Sequence, residues 1–241
     1  MIKILKENIF NLISKTLLFK KKLIINPDIV KNIFLIDDEN HDTFFGYYDL
    51  CPFHINSKFH LVHRLSKVKN SVKNIEIGIY SLEEKKYKKI SNSNLYNFQF
   101  GSRLSWFDLN CNYLLFNDSL NGNMLSKVID KKNGKVIDQF DLPFFDFNQS
   151  VGRFVTTDFS KLGSFRLGYG YKGQYYNNYF KKNNSIFIFD SSKKIGKELL
   201  NISEADKLNK QYTKLNFDIS YFNHLKFSPD GEILIFLYVW V

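Results

Sequence analysis

The chain has 241 residues, with 34 Lys and Arg against 24 Asp and Glu for a formal net charge of +10, and it is 44% hydrophobic and 17% aromatic. That apolar content excludes a disordered chain, and 25 Phe with 14 Tyr point to a β-rich fold able to bury a sizeable core. The two cysteines, Cys51 and Cys111, exclude a disulfide framework and a zinc motif, and read as free thiols in apolar strands. The excess of lysine would suit an acidic partner such as a uronic-acid polymer or an anionic membrane. The lysines are scattered, however, with short runs such as Lys20 to Lys22, and carry no specific nucleic-acid signal.

Residues 1–22 place Leu5, Ile9, Leu12, Ile13 and Leu17 at helical spacing, with Lys3, Lys6, Glu7, Asn8 and Asn11 largely opposite. This predicts a short amphipathic helix that packs on its own domain, with weak membrane-surface association as the alternative. No run approaches the roughly 18 apolar residues of a transmembrane segment, and there is no small-residue cleavage site. The expectation is a cytoplasmic protein.

Beyond that helix the chain repeats. Segments beginning at Cys51 (CPFHINSKFHLVH), Ser105 (SWFDLNCNYLLFN), Thr157 (TDFSKLGSFRLGY) and Lys226 (KFSPDGEILIFLY) each carry an aromatic near the start, then a polar turn, then an apolar run. The period is about 54 residues once the polar stretch GYKGQYYNNYFKKNN is set aside as an inserted loop, and a fixed period of this size signals a repeat architecture. Four short strands can be read in the first repeat (FFGYYDLCPF, FHLVHRL, EIGIYSL, KYKKIS). The second gives SRLSWFD, YLLFND, LSKVID and KVIDQFDL, the last two joined by a turn at Lys132 to Gly134. The third gives GRFVTTDF, SFRLGYG, SIFIFD and KELLNIS. Four antiparallel strands per repeat describe a blade whose apolar faces must be covered by neighbouring blades. The predicted fold is therefore an all-β β-propeller in residues 23–241, with about three and a half blades starting near Phe44, Gly101, Val151 and Ile219. Trp106, Phe159 and Phe227 should fill equivalent buried positions, and Lys172 to Asn184 should protrude.

The hairpin FSPDGEILIF, Phe227 to Phe236, resembles the strand-turn-strand repeat of TolB-type propellers, with Pro229, Asp230 and Gly231 as its turn residues. FNHLKFSPDG is also similar to the repeats of oligogalacturonate lyase-like propellers. That resemblance implies action on acidic pectin fragments with a divalent metal. The other three repeats have FHINSK, FDLNCN and FSKLGS in place of the Pro-Asp-Gly turn, and no His-x-His pair or other metal cluster occurs. No cofactor is expected outside the lyase reading.

The fourth repeat offers two strands. Either the chain is a fragment of a larger ring, which is the favoured expectation, or Leu23 to Asn26 and Asn32 to Asp37 complete a closed four-bladed propeller. Both faces of the final strand, Ile233, Ile235 and Leu237 on one and Leu234, Phe236 and Tyr238 on the other, are apolar and ask for burial.

Ligands of a propeller gather at one end of its axis. The repeat register places His41, Tyr48, His63, Arg64, Arg103, Asp118, Arg153 and His224 there as candidate binding residues, with no catalytic residue assigned. Arg64, Arg103 and Arg153 suit carboxylates or phosphates, and the alternative is that they form salt bridges to Asp49, Asp118 or Asp158. Two functions follow. The first is a non-catalytic interaction or binding module linked to surface-polysaccharide metabolism, bound to a protein or an acidic saccharide. The second is a carbohydrate-active, lyase-like propeller. Convergence of Arg103, Arg153, His63 and His224 on one mouth would favour a carbohydrate-active or carbohydrate-binding propeller, and their dispersion into blade interfaces an interaction scaffold.

Overall fold

A computed structural model describes residues 36, 39–67, 74–166, 168–171, 184–192, 196–213 and 218–240. The expected helix at 1–22, the closing segments (apart from Ile36) and the loop at 172–183 lie outside the described residues.

Three four-stranded antiparallel sheets follow one another, each in simple sequential order. The first holds β1 (His41–Phe44), β2 (Phe59–Ser66), β3 (Ile75–Ser81) and β4 (Lys86–Ser93). The second holds β5 (Ser105–Trp106), β6 (Tyr113–Leu120), β7 (Asn123–Asp130) and β8 (Val136–Phe140). The third holds β9 (Asp146–Asn148), β10 (Arg153–Thr156), β11 (Ser185–Asp190) and β12 (Gly196–Asn201). A two-stranded sheet, β13 (Ser220–Phe227) with β14 (Leu234–Trp240), follows. Two short helices, α1 (Phe159–Phe165) and α2 (Ile202–Thr213), interrupt the strands. These sheets are propeller blades, and β5, β9 and β13, with the segment around Phe53 of the first blade, line one shared cavity of about 520 Å³, through Phe53, Ser105, Asp146 and Lys226 among others.

Burial follows from this stacking. The middle strand β3 is apolar and almost wholly buried, because both faces of a blade are covered by neighbours, whereas the outer β4 (KYKKISNS) turns its lysines to solvent. Leu61, Ile77, Leu104 and Phe116 fill the contact between the first two blades. Leu115, Phe144, Phe154 and Phe189 fill the next, and Phe145, Phe159, Phe222 and Leu225 the third. Phe154 lies opposite both Phe147 and Phe189 across its neighbouring strands, with ring centroids 4.3 and 4.7 Å away. At roughly 1.5–3 kcal/mol for each large apolar side chain buried, these seams supply the cohesion that one sheet lacks.

The third blade departs from the expected register. Its inner hairpin is Asp146–Asn148 with Arg153–Thr156, about five residues ahead of the predicted start at Val151. TDFSKLGSFRLGY is no strand pair: Asp158 caps α1, its carboxylate accepting from the backbone N–H groups of Ser160 (3.0 Å) and Lys161 (3.1 Å). Gly168 and Gly170 have φ of 92° and 63°, which breaks any strand there. Phe159 is buried but opens the helix, and Phe147 takes the position matching Trp106 and Phe227. Helix α2 begins with a capping box, in which Asn201 accepts from the Glu204 N–H at 3.0 Å and Glu204 accepts from the Asn201 N–H at 3.1 Å.

The final hairpin forms as read. Gly231 turns at φ 75°, and the Asp230 carboxylate accepts from the Glu232 N–H at 3.0 Å. Leu234, Phe236 and Tyr238 pack on the core, while Ile233, Ile235 and Leu237 are 60%, 65% and 50% exposed. The second face of β14 is thus open.

Candidate functional site

The inner strands of the second and fourth blades are both bulged, at Arg103 (φ 58°) and His224 (φ 50°), in the sequences RLSW and HLKF. Each bulge precedes a buried leucine, Leu104 or Leu225, and re-aims one side chain. In the first blade the segment between β1 and Phe53 carries Tyr47, Tyr48 and Asp49 to the same end of the axis.

Arg103 is fully buried and donates to both Asp49 carboxylate oxygens at 2.9 and 2.7 Å, and to the Phe145 carbonyl. The Phe145 ring lies 4.8 Å from its guanidinium. Beside it Lys226 donates to Asp146 (2.8 Å) and to the Asp49 carbonyl (3.0 Å), while Asp146 also accepts from the Phe227 N–H at 2.9 Å. Four charges from four blades are therefore mutually neutralised on the axis.

Uncharged groups sit alongside. The Tyr47 and Tyr169 hydroxyls are hydrogen-bonded at 2.8 Å, and the His224 ring lies 5.6 Å from Tyr47 and 6.0 Å from Tyr169. Burial, then the Tyr169 hydroxyl, holds the Tyr47 hydroxyl well above the usual phenol value, so it stays protonated. Burial also lowers the His224 imidazole below its ordinary value, with Asp49 pulling the other way, which favours the neutral ring. Next to Tyr169 opens a cavity of about 750 Å³, lined by Asn94 to Gln99 and by Gly168 to Tyr171. Among the described residues its lining is aromatic rings, amides, two glycines and Leu95, and Phe98 is 68% exposed. Asn97 shapes the wall: its carbonyl oxygen accepts from the Gln99 and Phe100 N–H groups at 2.8 and 2.7 Å.

Of the predicted residues, Arg103, His224 and Tyr48 meet here, Tyr48 being 82% exposed with its ring 4.3 Å from Tyr47. The others do not. His63 is fully buried, its Nε2 2.9 Å from the Ser102 hydroxyl and accepting from the Ser102 N–H at 3.2 Å. His41 accepts from Arg64 at 2.8 Å, and the Arg64 guanidinium stacks 4.3 Å over Tyr87. Asp118 is buried and takes Lys127 at 2.6 Å with the Asn94 N–H at 2.8 Å. Arg153 is exposed on the outer turn and reaches the Gly231 carbonyl at 3.4 Å. The three arginines form no common anionic site, because Arg64 sits on β2, Arg103 ahead of β5 and Arg153 at the start of β10, each with partners of its own. Tyr47, Tyr169 and the cavity wall carry the site instead. None of these lies on a strand of the repeat, which is why the repeat register does not bring them together. Among the described residues no group of three His, Cys, Asp or Glu is placed to hold a metal, and no helix is long and apolar enough to cross a membrane.

Among solved structures the chain is similar to TolB from Acinetobacter baumannii, 14% identical over 81% of this chain and 37% of that one, with a TM-score of 0.43. It is also similar to the β-propeller domain of the trilobed protease from Pyrococcus furiosus (15% identical, 60% of this chain and 40% of that one, TM-score 0.35). An oligogalacturonate lyase in complex with manganese is 8% identical over 82% of this chain and 60% of that one, TM-score 0.36. The chain is a β-propeller. It spans 37% to 60% of the length of these TolB-like and related propeller chains. No known family and no curated protein matches the sequence.

Proposed function

We propose that this propeller is a non-catalytic binding module whose ligand is an uncharged polyhydroxyl chain, such as a neutral segment of a surface polysaccharide. The supporting observation is the division of labour on the axis. Arg103, Asp49, Asp146 and Lys226 are consumed by one another, while the described lining of the open cavity beside them is mainly rings and amides. Aromatic faces stack on sugar rings, and amides and tyrosine hydroxyls exchange hydrogen bonds with hydroxyls. The volume lies within the range of about 300–1,000 Å³ common to small-ligand sites. An acidic sugar gains nothing from Arg103, whose guanidinium is already closed by Asp49.

Calorimetric titration with neutral oligosaccharides and with oligogalacturonate tests the reading. Saturable binding of a neutral oligosaccharide that Tyr169→Ala weakens by about tenfold or more is the expected result. Preference for oligogalacturonate, or release of an unsaturated product from it, would replace the binding module with the lyase.

A further inference from the structure

A second cavity, of about 280 Å³, lies away from the axis where the first two blades meet. Its floor is formed by Phe59, Ile79 and Trp106, and its rim carries Lys86, Lys88, Lys131 and Lys132. Two elements bring the lysines together. Lys86 and Lys88 are two apart on β4 and share a face. Lys131 and Lys132 sit in the turn between β7 and β8, which docks on β4 so closely that a Cβ on Gly134 would stand 2.5 Å from the Ile90 carbonyl oxygen. Lys88 donates to the Lys132 carbonyl across this contact at 2.9 Å.

The manner in which these lysines are held is the decisive observation. Several lysines elsewhere pair with carboxylates: Lys58 with Glu83, Lys89 with Glu76, Lys127 with Asp118, Lys226 with Asp146. Here neutral acceptors do the holding. Lys131 donates to the Cys111 carbonyl at 2.7 Å and to His54 Nε2 at 3.2 Å. His54 is buried, with its Nδ1 2.8 Å from the Asn56 side-chain oxygen and 3.2 Å from the Asn56 backbone nitrogen, which fixes the ring beside Lys131. Two of the four ammonium groups, Lys88 and Lys131, are thereby positioned by neutral acceptors, and Glu84 is the single carboxylate among the lining residues. Crowding like charges around one cavity is unfavourable until an anion enters it.

We infer that this inter-blade cavity is an anion-binding site for a compact ring carrying a phosphate or carboxylate group. The anion would sit among the lysines as point charges, and the ring would rest on the apolar floor against Trp106. The site shares no lining residue with the cavity beside Tyr169 and does not depend on the reading given above for that cavity.

Trp106 provides the readout. In a Trp240→Phe background its emission is titrated with inorganic phosphate, glucose 6-phosphate, glucuronate and, as an uncharged control, glucose. The expected result is a saturable change with glucose 6-phosphate or glucuronate, the better of the two identifying the anion. Glucose should give no change, and inorganic phosphate a weaker response because it lacks the ring. Lys86→Gln/Lys88→Gln should weaken binding about tenfold or more while melting as the parent does, since neither ammonium holds the fold through a carboxylate. Tyr169→Ala should leave the response intact. No saturable response to either charged sugar, an equal response to glucose, or full binding by the double lysine variant would each overturn the site.

Discussion

Arg103 and His224 occupy one structural position in two different blades, each with left-handed φ (58° and 50°) and each just ahead of a buried leucine. Such a backbone costs a non-glycine residue on the order of 1–3 kcal/mol. Both side chains are thereby turned to the axis, where one closes on Asp49 and the other faces Tyr47 and Tyr169. Replacing His224 by Gly should therefore change stability by less than about 1 kcal/mol, since relief of backbone strain offsets lost ring contacts. Binding at the cavity beside Tyr169 should fall in the same variant. Urea melts and saccharide titration, run side by side, would expose a site residue kept at the expense of stability.

Arg103→Met should cost on the order of 3–5 kcal/mol, because it strands the Asp49 carboxylate and leaves the Phe145 carbonyl without its donor. Adding Asp49→Asn should recover part of that loss. A double mutant as unstable as the sum of the singles would show that the ion pair contributes no coupling.

Burial pushes the His63 imidazole down to about 4, against an ordinary value of 6.5. The unfolded chain therefore binds a proton between these values that the folded chain refuses. The contribution to stability is complete above about pH 6.5 and is lost as pH falls towards 4, on the order of 3 kcal/mol in all. Denaturation midpoints measured across that window should drop, and His63→Gln should flatten the pH dependence.

Gly101 lies at φ 57°, and a Cβ there would stand 2.3 Å from His63 Cε1. Gly101→Ala should destabilise by about 2 kcal/mol or more, from strain and overlap together. Pairing it with His63→Ala should relieve the overlap and leave the backbone cost, so that the two changes are strongly non-additive in thermal melts.

The sidedness of β14 predicts unequal costs along one strand. Ile235→Thr, at a position 65% exposed, should stay within about 0.5 kcal/mol of the parent. Phe236→Ala should cost about 2 kcal/mol or more, because that ring packs at 5.5 Å from Phe222. Equal costs at the two positions would contradict the burial of a single face.

Strands with a clean period were legible in the sequence: β2, β3, β6 and β7 fall where their apolar runs lie, and the Ser-Pro-Asp-Gly turn formed as its residues dictate. The third blade was misread because TDFSKLGSFRLGY matches the aromatic, polar, apolar order of a hairpin while Asp158, Phe159 and Leu162 equally satisfy a capped helix. Only packing decides between those readings. In the site, Arg103 and His224 were found from repeat position, but their convergence rests on left-handed bulges that no residue type announces. Lys86 and Lys131 meet through a turn docked on a distant strand, and 45 residues of separation hide that.

Neutralisation on the axis has an electrical consequence for the whole molecule. Asp49, Arg103, Asp146 and Lys226 cancel at the hub, whereas Lys86, Lys88, Lys131 and Lys132 gather at the seam of the first two blades. Approaching anions are then drawn to the rim by a field that salt weakens over about 8–10 Å, whereas a neutral chain reaches the hub unaided. Raising ionic strength should therefore slow capture at the blade seam and leave capture at the axis unchanged, giving one propeller two ligand routes with opposite sensitivity to its surroundings.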